Sequence, residues 1–327
     1  MSDSGSGGAG LQKEVARTLK TNLPEEFEAA VRWLEKLGIA YSRTRFGRYK
    51  ETLGKVESAR QAPAARIKIE SPWVKNQTWY NAVRDLDAFA TLFETNELVM
   101  IHQGLAGKHL ETYLLPRLEK LVSGPENYVN ENATKTNQAR NAGFELAVIA
   151  RLAKAGLAIQ QHEGLADVVA RLGDTTYVVE CKRPYSKTGV GNLILRAGEQ
   201  LETRYQQPGS ADATGFIALD LTRVFNPQFE VKNDVPLHEM EVRMTEIVDA
   251  LVAEYGKQFD RVRDKRTAGV LLRHSELAWI EPSQTMSWMH KYGVTPFTRR
   301  SPARVDTVWA LKDALERLCR SEGLPIR

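Results

Sequence analysis

The stretch LADVVARLGDTTYVVECKRP, Leu165 to Pro184, decides how the rest of the chain is read. Two runs rich in Val and Thr flank Gly173-Asp174, a dipeptide suited to a two-residue hairpin turn. Such a turn pairs Leu172 with Thr175, Arg171 with Thr176, Val169 with Val178 and Asp167 with Glu180; a loop with an odd number of residues would shift every pair by one. Because side chains alternate along a strand, Lys182 then shares a face with Asp167 and Glu180, while Tyr177, Val179 and Cys181 take the other. Opposed carboxylates repel, and charge at the end of a buried strand is costly unless it is paired, hydrogen-bonded or metal-bound. A divalent cation would remove the repulsion, since two carboxylates with carbonyls and waters are a common Mg²⁺ ligand set. Asp174 reads as a turn residue in water.

Upstream, GFELAVIARLAKAG (Gly143 to Gly156) has helical periodicity, with Val148, Ile149, Leu152 and Ala155 on its buried stripe. Glu145 falls on that stripe and so points inward. Alone it would read as a helix-edge residue reaching for solvent; beside Asp167, Glu180 and Lys182 it reads as a third acid of one site. LAIQQHE follows as a short strand. Downstream, GNLILRAGEQLETRYQQPG (Gly191 to Gly209) reads as a helix and GFIALDL (Gly215 to Leu221) as a buried strand. From Gly143 the order is helix, three strands, helix, strand.

Glu145 on a helix, Asp167, the Glu180-Cys181-Lys182 run at a strand end and a following helix carrying Gln200 together resemble the PD-(D/E)xK nuclease superfamily. The resemblance spans about Asn141 to Leu221. It implies an α/β fold with a restriction-endonuclease-like αβββαβ core, a mixed sheet flanked by helices. Ala166 stands where the proline of the motif would be. Arg204 lies four residues after Gln200, where a helicase-associated branch carries Tyr, and Tyr205 is one further, so that branch is not implied. By this resemblance Asp167 and Glu180 hold Mg²⁺, with Mn²⁺ as a substitute; the Cys181 backbone carbonyl completes the set, and Glu145 binds directly or through water. Lys182 orients or deprotonates the attacking water and steadies the developing charge. Gln200 resembles the polar residue that lies beside this lysine, or is an ordinary exposed helix residue. Arg183, Lys187, Arg196 and Arg204 flank the site and either track a phosphate backbone or are solvated surface charges.

The 327 residues, 42% of them hydrophobic, suffice for one large or two ordinary domains. Residues 1–10, rich in Gly and Ser, read as a disordered tail. Residues 11–123 read as an all-helical module, 124–140 as a polar linker or binding loop, and 141–327 as the nuclease-like domain with a C-terminal extension. In the module, LPEEFEAAVRWLEKLG, QTWYNAVRDLDAFATLFETN and GKHLETYLLPRLEKLVSG each read as a helix with an apolar face, the last kinked or restarted at Pro116. The extension reads as a long helix from Leu237, strands at AGVLLRHSELAWI and MSWMHKYGV, and a last helix at DTVWALKDALERLC. Lys and Arg number 45 against 41 Asp and Glu; the resulting +4 accommodates a polyanion without demanding one. The two cysteines form no disulfide framework, no apolar run reaches a membrane span, and the start lacks the apolar core of a signal peptide, so a cytoplasmic protein is expected.

The expected function is a metal-dependent endonuclease, in preference to an exonuclease, acting on DNA in restriction, defence or repair, with the helical module selecting the target. A homodimer would suit the cutting of two strands. Two other classes compete: a nucleic-acid binding module that keeps the fold without catalysis, and an effector whose N-terminal helices bind a controlling protein partner. Degenerate members lose an acid or the lysine, and this chain keeps each of them; a stable partner in a pulldown would mark the effector.

Overall fold

The computed structural model describes residues 17–18, 23–61, 88–126, 137–161, 166–207, 210, 212–228, 232–281 and 285–321; the tail expected at 1–10 lies outside them. In chain order the elements are β1 (Arg17–Thr18), α1 (Leu23–Lys36), α2 (Arg45–Gln61), α3 (Ala88–Leu105), α4 (Glu111–Val122) and α5 (Gln138–Lys154). Then come β2 (Ala158–Ile159), β3 (Val168–Leu172), β4 (Thr175–Lys182), α6 (Lys187–Arg204), β5 (Thr214–Asp220) and α7 (Thr222–Phe225). The chain continues through β6 (Lys232–Pro236), α8 (Leu237–Arg261), β7 (Thr267–Glu281), β8 (Thr285–Pro296) and α9 (Pro302–Ser321). No described helix is long and apolar enough to cross a membrane.

Gly173 adopts φ +58°, a conformation that costs glycine little, and the turn it makes sets the register of the hairpin. Leu172 pairs with Thr175, and pairing runs unbroken to Val168 with Val179, as a two-residue turn requires. The strands form one mixed sheet in the order β1-β8-β7-β5-β4-β3-β2, with β6 alongside the far half of β7. Neighbours β4, β5 and β7 are parallel, whereas β2-β3-β4 and β7-β8 are antiparallel.

Alternation along the strands divides the core into two layers. Val168, Ala170, Tyr177, Val179, Cys181, Phe216 and Ala218 face the layer built by α1, α3, α4, α5 and α9. Val169, Val178, Ile217, Leu219 and Val270 face the other, where α6 contributes Val190, Ile194 and Leu201, and α8 contributes Val248, Leu251 and Phe259. Burying a side chain of this size contributes about 1.5–3 kcal/mol, so both layers hold the sheet firmly. The first layer is one continuous cluster from Leu23 to Leu315: the N-terminal helices share a core with the sheet.

The N-terminal half departs from its sequence pattern in three ways. Helix α3, expected to be amphipathic and to end at Asn96, continues to Leu105 and is buried on every face from Ala90 to Ile101. Its two buried acids are neutralised by arginines distant in sequence, Glu94 by Arg45 and Arg140, and Glu97 by Arg273. Helix α4 is unbroken across Pro116; a proline inside a helix costs about 3 kcal/mol, and Leu114, Leu118 and Leu121, buried on the same core, anchor both halves against it. The expected linker at 124–140 ends inside α5, because Arg140 is drawn into the core by Glu94 at 2.7 Å; residues 127–136 lie outside the described ones. Helices α3 and α5 touch so closely that a Cβ on Gly104 would stand 2.6 Å from the Cβ of Ala150. Helix α2 and strands β1 and β6 were not foreseen.

Candidate active site

Strand β4 carries Glu180, Cys181 and Lys182 at its C-terminal end, beside Ile217, Ala218 and Leu219 of β5. Asp167 immediately precedes β3, and one further step of the hairpin register sets it opposite Glu180. Asp167 Oδ2 accepts a hydrogen bond of 2.7 Å from the backbone N–H of Cys181, which ties the two strand ends together. Lys182 Nζ donates to Glu180 Oε1 at 2.6 Å. The Glu180 side chain is 2% exposed and that of Lys182 16%, so the lysine forms the solvent side of the pair. The second carboxylate oxygen, Glu180 Oε2, is buried and has no hydrogen-bond partner among the described residues. A buried acceptor left unmatched costs about 1–3 kcal/mol, and such atoms call for an explanation.

Glu145 enters from α5. Its Oε2 accepts from Arg117 Nε at 3.2 Å, and Arg117 Nη2 donates to the Asp167 carbonyl oxygen at 3.4 Å. Burial first, and then the charge of Asp167, raise the Glu145 carboxyl to about 7 against the pull of Arg117. Burial and Asp167 also raise Glu180, with Lys182 and Arg204 working in the other direction. The Cys181 thiol is pushed well up by burial and by Asp167, Glu145 and Glu180, so it stays protonated, and its backbone carbonyl is the atom it can offer to a cation. The three acids thus sense one another electrostatically. That is the arrangement in which a positive charge gains most.

Among the described residues no three His, Cys, Asp or Glu side chains converge at metal-ligand spacing. The donor set that fits is smaller: Asp167, the unmatched oxygen of Glu180 and the Cys181 carbonyl, with water in the remaining positions. Glu145 then suits a contact through water.

The other expected residues fall in different places. Gln200 and Arg196 are exposed on α6. Lys187 is exposed and pairs with Glu254 at 2.9 Å. Arg183 turns inward to Asp220 at 3.4 Å. Arg204 is half-buried, and its charge is felt at Glu180. Asp220 also takes Arg273 at 2.7 Å and the Thr222 hydroxyl at 2.7 Å; burial works to raise its carboxyl, but Arg273, Arg183 and Thr222 outweigh that and hold it at about 2. Arg183 is therefore committed to a buried structural network. Asp174 projects fully into water, as its turn position implied.

Arg117 was not singled out from the sequence. It lies three residues after Leu114 and four before Leu121, on the buried stripe of α4, so the reasoning that marks Glu145 marks it too.

Comparison with known protein families, with curated proteins and with solved structures finds no match for this chain.

Proposed function

We propose that this protein is a metal-dependent nuclease that hydrolyses phosphodiester bonds, DNA being the favoured substrate, and that α5-β2-β3-β4-α6-β5 is a restriction-endonuclease-like core of the PD-(D/E)xK kind. The observation that carries the reading is the Asp167–Glu180 pair at the strand ends, with Lys182 on the same face and a buried Glu180 oxygen that no described residue satisfies. Asp167, Glu180 and the Cys181 carbonyl would hold Mg²⁺ or Mn²⁺, which supplies charge neutralisation at the phosphate and an activated water.

Asp167 is anchored through one oxygen to the Cys181 N–H, and its second oxygen would serve as the ligand. Glu180 is fixed from one side by Lys182. Lys182, on the solvent side of that pair, would orient the attacking water and donate to the charge that builds on the phosphoryl oxygens. Exposed Lys187 and Arg196 on α6 offer charge to a polyanion passing the site.

The test is incubation of the purified chain with linear, circular and single-stranded DNA and with RNA, each with Mg²⁺, Mn²⁺ or a chelator, beside the Glu180→Gln variant. Metal-dependent cleavage lost in the variant is the expected result. No cleavage of any substrate, together with no calorimetric binding of either ion, would sink the proposal.

A further inference from the structure

The candidate site does not lie wholly within the segment that the sequence marks as nuclease-like: helix α4 sends Arg117 into it. The guanidinium meets Glu145 Oε2 at 3.2 Å and the Asp167 carbonyl oxygen at 3.4 Å, and lies 5.4 Å from the centre of the Tyr113 ring one helical turn back. Both side chains of the ion pair are largely covered, with 23% and 22% of their surface exposed. The contact is therefore held by α4 packing on α5 and is not a chance meeting of two surface chains. An arginine keeps its charge at any physiological pH. It stands beside Glu145 and the Asp167 backbone, at the edge of the acids where a divalent cation would also gain.

We infer, resting on the metal-dependent reading above, that Arg117 is a positioning residue that competes with a divalent cation for Glu145, so that the placement of the N-terminal helices sets how tightly the site holds metal. Two features support competition over simple structural pairing. Arg117 uses Nε and Nη2 on a single acid and a single carbonyl, leaving Glu180 Oε2 unmatched, so it does not discharge the cluster. A cation that draws on Glu145, directly or through water, must share the carboxylate with a guanidinium already 3.2 Å from its Oε2 and approach that fixed positive charge. The repulsion weakens binding while Arg117 stays in place.

Calorimetric titration of the full chain with Mn²⁺, without nucleic acid and at one alkaline pH, tests this. Arg117→Gln should bind Mn²⁺ up to about fivefold more tightly than wild type, the factor that corresponds to a partly exposed ion pair worth up to about 1 kcal/mol, and Arg117→Lys should return to wild-type affinity because it restores the charge. In a Glu145→Gln background the effect of Arg117→Gln should fall away, since the shared acid is gone. A purely structural arginine predicts the reverse for Arg117→Gln: unchanged or weaker Mn²⁺ binding with a lower melting temperature. That outcome, with wild type still binding Mn²⁺, overturns the inference and leaves the nuclease reading intact. No binding by wild type or by any variant overturns both.

Discussion

Removing the Lys182 side chain separates a structural charge from a chemical one. Lys182→Ala leaves Glu180, 2% exposed, with neither oxygen paired. The penalty has a ceiling, because the carboxyl can protonate. Holding a group with an ordinary value of 4.5 protonated at pH 7 costs about 3 kcal/mol, at about 1.4 kcal/mol per unit. Burial and Asp167 have already raised Glu180 in the wild type, so the additional loss without metal should be about 1–3 kcal/mol at pH 7. The sign follows from proton uptake: the variant's native state binds a proton that its unfolded state releases above 4.5, so its stability falls as pH rises. The gap to wild type should close as pH drops toward 4.5, where both are protonated. Urea unfolding followed by tryptophan fluorescence, with chelator and with saturating Mg²⁺, measures this. Metal should restore most of the lost stability, because it supplies the missing charge. Single-turnover cleavage by the metal-loaded variant should nonetheless drop about 10²-fold or more, the usual cost of losing a positioned acid-base or electrostatic group. A folded, metal-loaded Lys182→Ala that cleaves near the wild-type rate would refute the chemical role and leave Lys182 as a partner of Glu180 alone.

Glu145→Gln should flatten the pH dependence of stability. In the metal-free wild type the native state takes up a proton between 4.5 and about 7, so stability declines across that window; the variant should be more stable by up to about 3 kcal/mol above pH 7 and equal near 4.5, and parallel unfolding curves would count against the raised carboxyl. Asp174→Asn should leave metal affinity and cleavage unchanged, since its side chain is in water at the turn; loss of activity there would mean that the register of the hairpin has been misjudged. Gly104→Val should lower stability by at least about 1–3 kcal/mol, the scale of overpacking, because the added atoms meet Ala150. A melting temperature equal to wild type would show that α3 and α5 are less tightly joined than described.

How much of this was legible in the sequence depends on how local each determinant is. The hairpin was, because Gly173-Asp174 admits a two-residue turn and that turn fixes every pair from Leu172–Thr175 to Val168–Val179. Glu145 was, because helical periodicity alone places it on the buried side of α5. Helix α3 was not. A helix buried on all faces has no polar side to report, and Glu94 and Glu97 look like solvent-facing residues until arginines from α2, α5 and β7 are brought to them. The same holds for Arg273, His274, Ser275 and Glu276 of β7, four consecutive polar residues that are all buried. Arg183 was misleading for a related reason: its neighbour Lys182 faces the site, but strand alternation sends Arg183 to the opposite layer, where Asp220 holds it.

The burial of α3 on every face from Ala90 to Ile101 has a consequence for how the chain is made. Its apolar surface leaves the ribosome long before β7 and β8, whose Leu277, Trp288 and Tyr292 belong to the cluster that covers it. At roughly 5–20 residues per second, the roughly 190 residues from the end of α3 to the end of β8 take about 10–40 s to synthesise. Until those strands arrive, this water-averse helix depends on α1, α2, the slightly later α5 or a chaperone for shelter, and Glu97 waits for Arg273. The yield of folded protein should therefore respond to translation speed and chaperone supply more sharply than its final stability would suggest.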